Sequence, residues 1–254
     1  MPDPSLEDLC ELGQRQLMQT QYLEAQATLV RAEQLALDAR NWDVLSRLYM
    51  PLQETRRQIR QTCGEGIVRL DVAARGPSDQ IDPDKVIEQY PMGQLLVAGW
   101  ETVEPAVRVR RAAAESGLYL ETFLGAAFPT ADAGIAVAVV PLADTILPAP
   151  IPRSLAELSA ELPPGSILLR VSDLPAGPRQ GTFVTYGQTM ALWERLHAPF
   201  LAQADSDRDL VRKVELYRQT IRVDSACELA HQKLSAVAHE LARIALEALN
   251  APLI

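Results

Sequence analysis

Apolar residues recur at helical spacing near both ends of the chain and at strand spacing in the middle. Leu6, Leu9, Leu12, Leu17 and Met18 mark a stripe over residues 5–20. Ser5 precedes it and Asp8 follows three residues later, the arrangement of a capping box. Tyr22, Ala25, Leu29, Ala32 and Ala36 then repeat at three- and four-residue steps, as one face of a second helix does. A third helix is predicted over 41–61 from Trp42, Leu45, Leu48, Tyr49 and Leu52, with a kink at Pro51. Toward the other end, Met190, Trp193, His197 and Phe200 predict a helix ending near Ala202. Leu210, Val214, Tyr217 and Ile221 predict another, and Ala230, Leu234, Val237, Leu241 and Ile244 a last one.

From Gly66 the period changes. Val68, Leu70 and Val72 alternate with Arg69 and Asp71, which predicts a half-buried strand, possible at a sheet edge. Asp82 and Pro83 open a short helix, and residues 94–99 form the continuous apolar run of a central parallel strand. Thr102, Pro105 and Gly117 bracket a helix over 103–116. Residues 119–126 and 135–140 read as strands, Ser154–Glu157 as a capping box, residues 167–171 as a strand and 182–185 as one more. The expected fold class is α/β: a mostly parallel sheet with helices on both faces, in the order β-α-β-α-β-β-α-β, inserted between N- and C-terminal α-helical segments.

Glycine and proline follow the same division. Residues 1–63 hold one Gly and three Pro, residues 64–187 hold 12 and 13, and residues 188–254 hold none and two. Both residue types disfavour helix interiors, so three segments are expected: helical 1–63, α/β 64–187 and helical 188–254, the last packing with the first.

In the first segment, Leu12-Gly13 in one helix and Tyr22, Glu24-Ala25, Leu29 and Ala32 in the next form a pattern that resembles a tetratricopeptide repeat (TPR). Trp42 to Tyr49 looks like the opening helix of a following repeat. Val214, Tyr217 and Ile221, with Ala230 and Leu234 on the next helix, look like a weaker case. No proline closes the first unit, and Lys213 stands where a small residue is expected in the later one. The resemblance implies a helical array with a surface for protein or peptide partners. Repeats stack by nearest-neighbour contacts and about three are needed for stability, so both flanks would have to combine. Generic amphipathic helices packed on the middle domain are the competing reading.

Composition narrows the function classes. The 254 residues carry 24 basic and 33 acidic side chains, net −9, with 48% hydrophobic residues. That is a folded chain rather than a disordered one. The acidic balance argues against general nucleic-acid binding, which depends on neutralising phosphates. The charge divides as −2, −6 and −1 over the three segments. Lysine occurs at only three positions and the other basic residues are scattered arginines, as codon bias produces. Cys10, Cys63 and Cys227 lie far apart with no CxxC, so buried free thiols are expected and neither a disulfide framework nor a zinc ribbon is. The opening residues Met-Pro-Asp-Pro-Ser-Leu-Glu-Asp have no basic or apolar leader region, and the apolar stretch at 134–142 is too short to cross a bilayer. A bacterial cytoplasm is the expected location, with no membrane partner.

No catalytic motif is present. GxGxxG, GxxxxGK[ST], GxSxG and HExxH are absent, and Gly64-Glu65-Gly66 precedes a strand instead of following one. Glu228 and His231 have a spacing seen in carboxylate-bridged metal sites, but no second copy exists, so neither metal nor cofactor is expected and the three histidines His197, His231 and His239 read as partly exposed helix residues. Arg108, Arg110 and Arg111 form the densest basic run and read as a solvated helix face, with Arg108 and Arg111 on one side, where Arg108 can pair Glu104 and Arg111 can pair Glu115, and Arg110 pointing away. The candidate ligand loop is Gly99-Trp100-Glu101-Thr102, between a buried strand and a helix start, with Asp144, Asp173 and Tyr186 near other strand ends. Two functions are therefore expected to compete: a protein-interaction or adaptor protein using a TPR-like surface, and a small-ligand-binding or enzymatic α/β domain flanked by structural helices.

Overall fold

The computed structural model describes residues 4–131, 134–149 and 151–250. The first residues of the expected leaderless opening lie outside them. The chain divides into two compact units. One combines the described residues up to Ile59 with those from Phe200 onward, and the other is Arg60–Pro199.

The helical unit begins with α1 (Leu6–Met18) and α2 (Tyr22–Asp38). Ser5 and Asp8 make both reciprocal bonds of the capping box. α1 and α2 approach closely at Gly13: a Cβ there would sit 2.5 Å from Leu29 Cδ2. Helix α3 (Trp42–Glu65) runs through Pro51 and contributes residues to both units. After Phe200 come the end of α7 (Phe183–Ser206), then α8 (Leu210–Val223) and α9 (Glu228–Asn250). One apolar core is built from both chain ends, with Leu9, Leu29, Leu45, Tyr49 and Leu52 beside Val214, Tyr217, Leu234 and Ala238. Leu12, Met18 and Ile244 of the predicted stripes are exposed.

The α/β unit carries a six-stranded sheet in the order β5-β4-β3-β2-β1-β6. Its strands are β1 (Ile67–Ala73), β2 (Met92–Trp100), β3 (Tyr119–Thr130), β4 (Gly134–Val140), β5 (Ile167–Arg170) and β6 (Arg179–Gln180). The sheet is mixed, not mostly parallel. Only β1–β2 and β2–β3 are parallel pairs, while β3–β4, β4–β5 and β1–β6 are antiparallel. Connection length accounts for the change of direction between β3 and β4. A parallel crossover needs a dozen or more residues, usually a helix. The helices α4 (Pro83–Gln89) and α5 (Glu104–Glu115) supply such crossovers, whereas β4 follows β3 almost at once and must return as a hairpin. The two-residue β6 pairs with the outer side of β1 at Ile67 and Val68 only, so among the described residues the rest of β1 is an edge.

Helices lie on both faces. Val86 and Tyr90 of α4, Ala106, Val109 and Ala113 of α5 and Leu158 of α6 (Leu155–Glu161) pack on Leu95, Val97, Leu124 and Ala126. On the other face Phe123 stacks on Trp193 of α7, with ring centroids 4.2 Å apart. The strand expected at 182–185 is instead the start of α7. Thr182 Oγ1 accepts from Thr185 N, and Thr185 Oγ1 accepts from Thr182 N. That reciprocal cap wins over the local alternation.

Close approach of β1 and β2 depends on Gly93. Its φ is +155°, and a Cβ there would lie 1.9 Å from the Ile67 carbonyl oxygen. Gly93→Ala is expected to cost about 1–3 kcal/mol, as a strained backbone position does, plus loss of pairing at that end. Urea denaturation checks this; an unchanged midpoint would contradict it.

Candidate functional site

The residues expected to form a ligand loop do not converge. Gly99 and Trp100 close β2, Glu101 adopts a left-handed conformation with φ 56°, and Thr102 pairs back to Gly99 in an isolated bridge. Glu101 N donates to the Ala127 carbonyl, and Thr102 Oγ1 accepts from Glu104 N at the start of α5. Pro105 Cδ lies 2.7 Å from where a Gly99 Cβ would be. The loop is thus a tight turn folded onto the helix it precedes. Asp173 is exposed in a 3-10 turn after β5, which runs in the β3 direction. Asp144 follows β4, which runs the other way, so it lies toward the opposite end of the sheet. Tyr186 packs its ring against Gly64, just before β1, also at that opposite end. Antiparallel pairing separates residues that a parallel sheet would have gathered at one edge.

Two polar groups turn inward. Arg108 and Arg111 are exposed, but Arg110 is half-buried and its Nη2 donates to the Thr122 carbonyl. Burial pushes its pKa down to about 10, and the Glu121 carboxylate opposes that shift. Glu121 Oε2 also lies 2.7 Å from Arg60 Nε and accepts from Gln94 Nε2 at 2.6 Å. The Arg60 guanidinium rests 4.5 Å over the Trp193 ring. One carboxylate therefore serves the buried Arg60 and the half-buried Arg110.

His231, expected to be partly exposed, is fully buried in the helical unit. It lies on the same inward stripe of α9 as Ala230, Leu234 and Ala238. Its Nδ1 is 2.9 Å from the Cys227 carbonyl, which can only accept, so Nδ1 carries the proton. That leaves Nε2 as the acceptor for Arg56 Nη1, 3.0 Å away. Burial and the adjacent Arg56 charge push the His231 pKa down to about 4. The imidazole is neutral. Of the cysteines, Cys63 and Cys227 are buried and free, while Cys10 is half-buried.

Arg56 itself lines a depression of about 660 Å³. Val30 and Glu33 of α2, Arg56 of α3 and residues 212–222 of α8 form its walls, including Arg212, Glu215, Arg218 and Arg222. Glu33 Oε1 accepts from the Tyr49 hydroxyl at 3.1 Å and lies 3.4 Å from Arg218 Nε. Arg218 also reaches Glu215 at 3.4 Å, and Arg212 reaches Asp207 at 3.1 Å. Arg56 is only 8% exposed, and its Nε–H has no acceptor. Burial holds its pKa below the usual value. The signal for this site in the sequence was weak, because its arginines come from helices separated by most of the chain.

No protein-family model matches the chain, and neither does a curated protein or a solved structure. Among the described residues, no helix is long and apolar enough to cross a membrane.

Proposed function

We propose that the chain is a protein-interaction or adaptor protein whose helical unit carries the partner-binding surface. The observation supporting this reading is the arginine-lined depression of about 660 Å³ on that unit, with walls from α2, α3 and α8. A depression of this size is large enough to receive side chains of a docked segment. The unit's paired helices, the close approach at Gly13 and the TPR-like pattern in α1 and α2 favour the same reading, since repeat arrays present concave surfaces to partner chains. The acidic α/β unit, inserted in sequence between the two halves of the helical unit, then acts as an embedded domain.

The test is affinity capture from the native host at moderate salt with three full-length proteins. Wild type is expected to recover a defined partner. Arg212→Glu/Arg222→Glu reverses two exposed charges on the wall of the depression and is expected to lower recovery at least roughly tenfold, the scale of a few charge contacts. Arg108→Glu/Arg111→Glu, which reverses exposed charges on α5, is expected to recover the partner as wild type does. No specific partner, or equal loss in both variants, would overturn the proposal.

A further inference from the structure

Helix α9 outruns the core it helps to build. Its inward stripe passes through Ala230, Leu234 and Ala238, all buried. At helical spacing the stripe continues to Ala242, Ala245, Leu246 and Leu249. There it meets solvent, with Leu246 60% and Leu249 82% exposed. Over residues 241–250 the polar side chains are those of Arg243, Glu247 and Asn250 alone. A helix apolar on most of its sides is one that packing covers.

A groove of about 500 Å³ runs beside this face. Ala242, Ala245, Leu246 and Leu249 line it from α9, and Trp42 lines it from the start of α3. The face complements a copy of itself. Along the helix axis it reads small, small, large, large: Ala242, Ala245, Leu246, Leu249. Two such faces laid antiparallel set Leu249 of each copy over Ala242 of the other, and Leu246 over Ala245. Laid parallel, they would set leucine on leucine and leave gaps over the alanines. Large against small is the arrangement that fills space at interior density. The charges on the flank agree. Arg243 also lines the groove and bonds Glu247 one turn further along. In the antiparallel pair Arg243 of one copy comes nearly level with Glu247 of the other, whereas a parallel pair brings like charges level. Charges flanking a helix pair set its orientation in this way.

We infer that the exposed end of α9, residues 241–250, is the surface through which two copies of this chain pair, antiparallel about a two-fold axis. Each groove receives the α9 end of the other copy, with Leu246 and Leu249 inserted beside Trp42. The contact is small against a standard interface of about 1,600 Å², so the dimer dissociates on dilution. It uses none of the residues that line the depression formed by α2, α3 and α8.

The experiment is sedimentation equilibrium of the full chain from about 1 μM to about 1 mM, the range of weak association. A monomer–dimer equilibrium that stops at two is expected. Leu246→Glu/Leu249→Glu alters two exposed positions and is expected to raise the dissociation constant at least roughly tenfold, as loss of buried apolar side chains does, with the far-UV circular dichroism unchanged. Ala245→Leu separates fitted pairing from general stickiness. It adds apolar area at an exposed position, yet is expected to weaken the dimer severalfold, because the larger side chain meets Leu246 of the other copy. Charge reversal reads the flank. Arg243→Glu and Glu247→Arg are each expected to weaken self-association severalfold, and their mixture to restore a dimer, since an acidic flank then meets a basic one. A monomer at every concentration overturns the inference and leaves the face to another occupant. Association that continues past two, or tighter association by Ala245→Leu, overturns it as well. None of these measurements involves a captured partner, so the adaptor reading stands or falls separately.

Discussion

Glu121→Ala is expected to destabilise the α/β unit by about 3–5 kcal/mol, the cost of breaking a buried ion pair from one side. The carboxylate lies 2.7 Å from Arg60 Nε, and the Arg60 side chain is only 2% exposed. It also offsets the burial of Arg110. Its removal strands the buried Arg60 guanidinium, takes away the charge that attracts the half-buried Arg110, and leaves Gln94 Nε2 without its acceptor. A neutral methyl cannot replace any of these interactions. The comparison with Arg60→Met in the same background decides the cause. If uncompensated charge is the main cost, the double variant recovers part of the loss, because an apolar side chain tolerates that site better than an unpaired cation. Urea denaturation followed by tryptophan fluorescence reads the effect, since Trp193 stacks on Phe123 in the same unit. A loss below about 1 kcal/mol would show that Glu121 is replaceable there by solvent.

Acid is expected to weaken the helical unit through His231. The group is neutral when folded, with a pKa pushed down from 6.5 to about 4. The unfolded chain takes up the proton below about 6.5 and the folded chain resists it until about 4. The unfolded state therefore binds more protons in that window, so stability rises with pH through it and falls as pH drops. Above 6.5 both states are neutral and the contribution to the folded state is intact. At one unit per 1.36 kcal/mol the loss approaches about 3 kcal/mol by pH 4. Protonation would also place a second cation against Arg56, while the nearby Asp224 acts in the opposite sense. His231→Gln keeps an acceptor for Arg56 and cannot titrate. Denaturation midpoints at pH 7, 5.5 and 4 should accordingly decline less in the variant than in wild type. Identical declines would assign the acid sensitivity elsewhere.

Much of the local structure was legible because it is caused locally. Ser5 with Asp8 and Ser154 with Glu157 satisfy the first amides of their helices within four residues of chain, and both boxes form with both bonds. The apolar run before Gly99 identified a strand paired on both sides. The hairpin was half legible. The two apolar runs were read as successive strands, yet the antiparallel consequence of their short link was missed. Thr182 and Thr185 were misread because a four-residue alternation and a reciprocal cap look alike until the hydroxyls are placed.

The candidate site was less legible. Arg56 and His231 are 175 positions apart, and Arg60 and Glu121 are 61 apart. No spacing rule connects them; the helix period does separate Arg110 from its exposed neighbours Arg108 and Arg111, but it does not say that Arg110 meets the Thr122 carbonyl. The Gly99–Thr102 turn, by contrast, was conspicuous in sequence and proved to be filled by its own helix start.

By itself, the sequence determined most of the helices and strands, the capping boxes at Ser5 and Ser154, and that a Gly/Pro-rich α/β segment stands between two helical ones. These follow from periodicity and short-range hydrogen bonding, which each stretch carries whatever its surroundings. The tertiary structure alone decided that the sheet is mixed, that His231 is interior, and that Arg56 is buried beside an arginine-lined depression with its Nε–H unmet. The burial of His231 and Arg56 depends on which distant side chains share a low-dielectric interior. There the cost of an unpaired charge, rather than local preference, selects the arrangement.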